Sequence, residues 1–254
     1  MKLIKKSLSF ITTIAYCAAI SSIMPVSSSA EESVKTYGDL SYFTSDSDGD
    51  GTDDYAQIVD CNETAVEVDI PAEIEGLPVK STRDWAFADC KSLTSISVPD
   101  SVNAIGNGAF SGCSSLASIN IPNSVTTIRG SAFCNCLSLT SITIPESVTS
   151  IEIAAFSGCS SLTNITIPDL VASIGDHAFY NCSSLTNITV SENNKYFSSL
   201  NGVLFNKDKT ELVTYLIGNE RTEYAIPDSV TFIGDRAFYK CSSLTSIITV
   251  SYTH

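Results

Sequence analysis

One motif recurs along most of this sequence and constrains the fold more than any other feature. It centres on an Ala-Phe pair, followed by a cysteine three residues after the phenylalanine, a leucine after six and an isoleucine after nine. Copies follow at intervals of 23 residues, with one interval of 59, and place phenylalanine at Phe87, Phe110, Phe133, Phe156, Phe179 and Phe238. A fixed period carried by apolar positions predicts stacked repeats, in which each coil buries its apolar residues against its neighbours.

The pattern within one repeat predicts a strand, a second extended piece and a tight turn. Apolar and polar residues alternate over 162–167, and Pro168 ends this strand because it cannot donate to a ladder. A shorter extended piece follows at Val171–Ile174, and 175–182 has room for one helical turn. One coil cannot satisfy its own strand edges, so the coils are expected to stack into parallel ladders.

Composition and spacing divide the chain into five segments. A basic start, an apolar run and small residues at its end predict a secretory signal peptide cleaved after Ala30, with a membrane anchor as the alternative. Short strands around an acidic turn predict a β cap, and a strand-turn-strand pattern predicts a β-hairpin insert. The segments are 1–30 (signal peptide), 31–69 (N-terminal β cap with acidic turn), 70–190 (repeats), 191–226 (β-hairpin insert) and 227–254 (last repeat and C-terminal end).

Charge and residue inventory exclude several classes of function. Without residues 1–30 the chain carries 11 basic and 28 acidic side chains, a net charge of −17, which disfavours nucleic acid and anionic membranes as partners. No later apolar run is long enough to span a bilayer. The remaining histidines are His177 and His254, and neither a glycine-rich phosphate loop nor a zinc-spaced Cys/His set occurs. No catalytic residues are assigned, and the chain is not expected to be an enzyme.

Eight cysteines follow residue 30, and six of them share one repeat position. Neighbouring coils lie roughly 4.8 Å apart with parallel Cα–Cβ bonds, whereas a disulfide requires Cβ atoms that converge to about 3.8 Å. A column of buried free thiols is therefore predicted at Cys90, Cys113, Cys136, Cys159, Cys182 and Cys241. The state of Cys61 and Cys134, outside the column, stays open.

The consensus Ser-Leu-Thr-x-Ile-x-Ile-Pro-x-Ser-Val-Thr-x-Ile-Gly-x-x-Ala-Phe-x-x-Cys resembles the BspA-type leucine-rich repeats of bacterial surface proteins. The resemblance implies a β-rich leucine-rich-repeat solenoid of 23-residue coils, with a parallel strand ladder and short helical turns, between an N-terminal β cap and a β-hairpin insert. It also implies a secreted or cell-surface protein with extracellular ligands, since some relatives are adhesins for host matrix proteins. No catalytic residues come with it.

The polar residues that alternate with the buried isoleucines are the first candidate binding site. Alternation places them on the exposed face of the strand ladder, which is expected to be concave. Short hydroxyls and amides suit an extended peptide or a glycan, but a face without aromatic or charged anchors also fits a solvated surface. The positions are Ser95, Ser97, Ser118, Asn120, Ser141, Thr143, Asn164, Thr166, Asn187 and Thr189.

The acidic turn of the cap is the second candidate, for calcium. Residues 46–51 alternate aspartates with small residues and end in glycine, like the first half of a calcium loop. The closing acid is missing, because Gln57 stands at the twelfth position. The alternative is a solvated acidic turn, and no other cofactor is expected. If calcium binds, the predicted ligands are Asp46, Asp48, Asp50 and Asp54.

Aromatic residues outside the repeat pattern are the third candidate. Trp85 stands where later copies have mostly small or polar residues, so it either covers the irregular first repeat or contacts a ligand. Tyr196, Phe197 and Tyr215 of the insert are expected to pack on the solenoid.

The sequence thus predicts a non-catalytic, adhesin-like protein, secreted or at the cell surface, that recognises an extracellular protein or a glycan. The alternative is a structural or display spacer of a larger surface protein. No obvious cap follows the last repeat, so a frayed last coil and a further segment downstream both stay open.

Overall fold

The computed structural model describes residues 34–249. The predicted signal peptide at 1–30 and the end of the chain at 250–254, with His254, lie outside the described residues. Within these bounds the chain is a β-solenoid of about eight turns with coils of about 23 residues, as predicted. None of these residues forms a helix that could cross a membrane.

Between residues 34 and 249, nineteen short strands build the solenoid and its N-terminal cap. They are β1 (Lys35–Tyr37), β2 (Leu40–Ser45), β3 (Tyr55–Cys61), β4 (Glu67–Asp69), β5 (Glu73–Ile74), β6 (Leu77–Thr82), β7 (Ser95–Ser97), β8 (Ser118–Ile119), β9 (Thr127–Ile128), β10 (Ser150–Ile151), β11 (Asn164–Ile167), β12 (Ser173–Ile174), β13 (Asn187–Val190), β14 (Phe197–Leu200), β15 (Val203–Asn206), β16 (Glu211–Thr214), β17 (Glu223–Ile226), β18 (Phe232–Ile233) and β19 (Ser246–Thr249).

A five-stranded sheet, ordered β1-β2-β3-β6-β5, covers the N-terminal end of the stack. Strands β2 and β3 pair antiparallel, and β3 then pairs parallel with β6, the first strand of the second ladder. Alternation along β3 buries Ala56 and Ile58 completely, in the same hydrophobic cluster as Phe87 of the first coil. The sheet therefore shields the first apolar coil from water, as a repeat stack requires.

Two parallel ladders run along the stack. The first contains β4-β7-β8, then β11-β13, then β17-β19. The coil between β8 and β11 forms no strand at 141–144. The second begins with β6, which a parallel bridge from Ser81 to Ala104 joins to the next coil, and continues with β9-β10-β12 and, further on, the pair β16-β18. In β11 and β13 the residues alternate between exposed and buried, so one face of the first ladder lines the core and the other faces solvent.

The Ala-Phe segment of each coil is a turn, not the predicted helical turn. Its backbone is left-handed at two positions four residues apart, two before and two after the phenylalanine, as at Ser131 (φ 55°) and Asn135 (φ 58°) around Phe133. A left-handed residue interrupts a right-handed helix, so each segment closes after one tight turn. We call this segment the outer turn. In the first four coils, centred on Phe87, Phe110, Phe133 and Phe156, it also forms three hydrogen bonds to the outer turn that follows.

The core is a column of aromatic rings flanked by thiols. Phe87, Phe110, Phe133 and Phe156 are fully buried, and successive rings from Phe87 to Phe179 stack at 5.1–5.9 Å between centroids. Close packing of this kind lets many weak dispersion contacts add up. A second, separate cluster lies in the last coils, and its residues are Val203, Phe205, Leu212, Tyr215, Tyr224, Ile226 and Ala237.

The predicted hairpin insert contains a degenerate coil of the solenoid. Tyr215 precedes Phe238 by 23 residues and stacks on it at 5.3 Å. Its amide donates to the carbonyl of Ala237 at 2.8 Å, which repeats the bond from Phe133 to Ala155. Strands β14 and β15 pair antiparallel before this coil, and β16 pairs parallel with β18 as a member of the second ladder. The 59-residue interval therefore holds an extra hairpin and one altered repeat.

Candidate functional site

The ten polar positions of the predicted binding face lie on the solvent side of the first ladder. All are exposed except Ser95, which is half-buried. The ladder register places Ser95 beside Ser118, and Asn164 beside Asn187. Strand pairing therefore aligns polar side chains in two groups, one on β7 and β8 and the other on β11 and β13. The strand-free coil with Ser141 and Thr143 lies between the two groups in the sequence. We call this surface the ladder face.

The cap adds an acidic edge to the ladder face. Strand β4 pairs in register with β7, so that Glu67 lies beside Ser95 and Asp69 beside Ser97. Both acidic side chains are exposed. These residues were predicted as part of the cap and not of the site, because nothing in their local sequence marks β4 as a member of the ladder.

The acidic turn brings three of the four predicted calcium ligands together. Carboxylate oxygens of Asp46, Asp48 and Asp50 lie within 4.8 Å of one another. Asp54 instead accepts hydrogen bonds from the backbone and hydroxyl of Ser47. The amides of Gly49 and Gly51 donate to Asp46, and these bonds hold the pKa of that carboxyl below its usual value. The three clustered carboxylates are oxygen ligands of the kind that calcium prefers.

The predicted aromatic candidates separate into packing residues and one exposed ring. A Cβ atom added at Gly108 would lie 2.2 Å from the ring of Trp85, so this half-buried ring packs on the next coil. Phe197 packs on the main core, and Tyr215 is buried in the second cluster. Tyr196, which was expected to pack as well, is 50% exposed. It directly precedes Phe197, and alternation points neighbouring side chains to opposite faces.

The cysteine column is present and its thiols are free. Cys113, Cys136, Cys159 and Cys182 are fully buried, and each Sγ lies 3.0–3.2 Å from the carbonyl oxygen of the phenylalanine 26 residues earlier. Burial raises the pKa of all four, that of Cys182 to about 12. Cys61 lies outside the column, and a hydrogen bond from Cys90 lowers its pKa.

We expect the column thiols to resist alkylation in the folded protein. Only the thiolate is nucleophilic, so with iodoacetamide at pH 8 the native Cys182 should react about 1,000-fold more slowly than in the unfolded chain. Cys241 is half-buried and its pKa is raised only to about 11, so it should be the first column cysteine to react. Peptide mass spectrometry after timed quenching measures both rates. Modification of Cys182 at the unfolded rate would contradict the buried column.

A cleft interrupts the stack of outer turns between the fifth coil, centred on Phe179, and the last one, centred on Phe238. Its volume is about 210 Å³, and the turns at 174–182 and 234–239 form two of its walls. The Tyr180 and Tyr239 rings meet across it, 4.9 Å apart, and His177 Nε2 lies 2.7 Å from Arg236 Nη1. Burial and the Arg236 charge lower the pKa of His177. His177, which takes part in this bridge, is half-buried.

Comparison with known proteins agrees with the architecture. Solved structures include a leucine-rich repeat protein of T. pallidum (27% identity, 85% of this chain and 82% of that chain, TM-score 0.58). A leucine-rich cell surface protein from Faecalibacterium prausnitzii has 26% identity over 87% of this chain and 77% of that chain (TM-score 0.54). The pneumococcal vaccine antigen PcpA shares the fold at 23% identity, over 86% of this chain and 64% of that chain (TM-score 0.68). None of the curated proteins matches the chain.

The repeat itself gives the assignment. Six copies of the model for the BspA-type leucine-rich repeat region match residues 80–208 and 217–253, well over half of the chain. The second matched range begins inside the degenerate coil, two residues after Tyr215. The chain belongs to the family of BspA-type leucine-rich repeat proteins.

Proposed function

We propose that this chain is an extracellular recognition module that binds a partner protein across the ladder face. The observation that carries the proposal is the register of the first ladder, which aligns exposed short polar side chains in rows while the opposite face is buried. Such rows offer hydrogen bonds at a regular spacing, and the low entropy of short side chains makes them inexpensive to order. The solved relative described as a cell surface protein supports a surface location for this chain.

The charge of the chain favours a basic partner. Glu67 and Asp69 border the ladder face, and the chain without residues 1–30 carries a net charge of −17. Complementary charge at the rim of an interface accelerates association and weakens with salt. A glycan ligand lacks such complementarity unless it is cationic, and the ladder face offers no aromatic platform for a sugar ring.

Surface plasmon resonance with the purified protein and immobilised host matrix proteins tests the proposal, with a glycan array in parallel. We expect saturable, salt-sensitive binding to a basic protein, and at least a tenfold loss of affinity in the double variant Asn164→Arg/Asn187→Arg. Thr126→Arg, an exposed position on the second-ladder side of the coil, is the matched control and should bind normally. Hits confined to the glycan array would replace the protein ligand with a glycan. Silence on both surfaces would favour the display spacer.

We also propose that the acidic turn holds calcium through Asp46, Asp48 and Asp50, the carboxylates that the fold brings together. Affinities of extracellular calcium modules are about 10⁻⁴–10⁻³ M. A tenfold excess of calcium over Kd should therefore stabilise the folded protein by about 1.4 kcal/mol, measured as a rise in Tm that a chelator reverses. Asp48→Asn should abolish the rise, and Asp208→Asn, in a separate exposed turn, should preserve it. An equal response in both variants would contradict the site.

A further inference from the structure

At the cleft, three backbone amides of one outer turn lack, within the described part of the chain, the hydrogen-bond acceptors that the same amides have in other coils. In a regular coil three amides of the outer turn donate to the next one: Ser131 to Ile153, Phe133 to Ala155 and Asn135 to Ser157, at 2.7–2.9 Å. The coils centred on Phe87, Phe110 and Phe156 repeat the same three bonds. Donor and acceptor positions alternate in both turns, as in a short parallel ladder.

The fifth coil presents the same three donors without acceptors. Its outer turn has the same left-handed positions, His177 (φ 60°) and Asn181 (φ 58°), so its backbone follows the same path. Within residues 34–249, however, the amides of His177, Phe179 and Asn181 have no hydrogen-bond acceptor. The cause lies in the next coil, which is the degenerate one. It forms no outer turn at 213–217 beside them, and only Tyr215 keeps its bond to the last coil.

The cleft occupies the place of the missing turn, and its walls define what fits. Side chains bridge it from both sides through Tyr180 with Tyr239 and His177 with Arg236. The Nδ1 atom of His177 is shielded from solvent and has no partner among the described residues. Because Arg donates only, Nε2 must be the acceptor in this pair and Nδ1 carries the proton. The site thus offers three backbone donors to acceptor oxygens.

We propose that this cleft, which we call the slot, binds a short extended segment of a partner polypeptide. The carbonyl oxygens of the segment accept hydrogen bonds from the amides of His177, Phe179 and Asn181. In four preceding coils the partner of these donors is a peptide backbone with alternating carbonyls, and strand addition to an open edge is an established mode of peptide recognition. The volume of about 210 Å³ lies below the roughly 300–1,000 Å³ of sites for drug-sized ligands, so the segment has small residues at its centre.

The charged lining selects basic segments. Asp176, Glu211 and Asp235 line the slot and outnumber Arg236, so a lysine on either side of the small central residue would find carboxylates, whereas an acidic segment would be repelled. The site is separate from the ladder face, and its occupation does not depend on binding there.

Nuclear magnetic resonance of the ¹⁵N-labelled full chain tests the proposal with two probes, the capped pentapeptides Ala-Lys-Ala-Lys-Ala and Ala-Glu-Ala-Glu-Ala. We expect the basic peptide to slow hydrogen exchange and to shift the amide resonances at His177, Phe179 and Asn181, and the acidic peptide to leave them unchanged. The double variant Asp176→Asn/Glu211→Gln should lower the affinity for the basic peptide by about three- to tenfold. Asparagine at 176 is the residue that the repeat has at Asn107, so the fold tolerates it.

Controls separate this site from the alternatives. Asp228→Asn, an exposed acid outside the slot, should bind the basic peptide normally, and so should Asn164→Arg/Asn187→Arg on the ladder face. No response of the three amides to either peptide overturns the proposal. The proposal is also overturned if the three amides respond equally to the basic and the acidic peptide, or if the basic peptide shifts only resonances of the ladder face. Protection of the three amides in the free protein would overturn it as well, because a segment of this chain would then fill the slot.

Discussion

Phe133→Ala is expected to lower the free energy of unfolding by about 3–5 kcal/mol. The Phe133 ring is completely buried and stacks on both Phe110 and Phe156 at 5.5 Å. Truncation removes contacts on both sides and leaves a cavity that the flanking coils cannot close, because the ladders fix their spacing. Urea denaturation followed by circular dichroism measures the loss. Since domains of this size have a free energy of unfolding of roughly 5–15 kcal/mol, the substitution removes a large part of the total stability.

The column provides its own control. Phe238 is half-buried and stacks on one ring, that of Tyr215 at 5.3 Å, while its other recorded ring contact, with Tyr224, is tilted and longer at 6.3 Å. Phe238→Ala should therefore cost clearly less than Phe133→Ala. Equal losses would mean that ring stacking along the column contributes little.

Gly106→Ala is expected to destabilise the protein by about 1–3 kcal/mol although it adds one methyl group. A Cβ atom there would lie 2.3 Å from the backbone carbon and oxygen of Arg83 and 2.4 Å from the nitrogen of Asp84. These are backbone atoms of the preceding coil, so relief requires that the two coils move apart. Such a movement strains the bond from Thr82 to Ala104 beside it. Thermal unfolding measures the effect.

Gly130→Ala is the matched control for this prediction. Its added Cβ would meet no atom closer than 3.4 Å, and its φ is not in the left-handed region. Alanine should therefore be neutral there, or slightly stabilising through reduced entropy of the unfolded chain. A similar loss in both variants would contradict the role of close coil contact at Gly106.

The repeat period made the fold predictable, because each apolar position recurs where the next coil must bury it. The ladders, the phenylalanine column and the thiol column follow from that rule. The outer turn was wrongly predicted as helical. Its first left-handed position is filled by residues as different as Ser131, Ala154 and His177 and gives no local signal. Its second position holds glycine, asparagine or aspartate in five coils, the residues that adopt this conformation most readily, and this signal could have been used.

The degenerate coil shows where pattern matching fails. Counting 23 residues back from Phe238 reaches Tyr215, but threonine replaces alanine before it, and Gly218 and Arg221 replace the cysteine and the leucine. Enough of the backbone register survives for the coil to stack. Because the residues that identify a coil are replaced, the sequence predicted a hairpin insert alone. The slot beside the degenerate coil could therefore not be predicted. For the ladder face, alternation predicted the exposed rows, and only strand pairing revealed that β4 extends them.

The separate hydrophobic cluster of the last coils has a dynamic consequence. Its seven buried residues form a cluster apart from the long core, which takes only the buried Leu204 and Leu216 from the same segment. We therefore expect the last coils to open as a cooperative unit while the earlier ones stay folded. Amide exchange should therefore report two opening free energies along one solenoid, the lower one at the C-terminal end. The slot is lined by residues of both clusters, among them Phe179 and Tyr215. We therefore expect a bound peptide to contact both units and to raise the lower of the two opening free energies towards the higher.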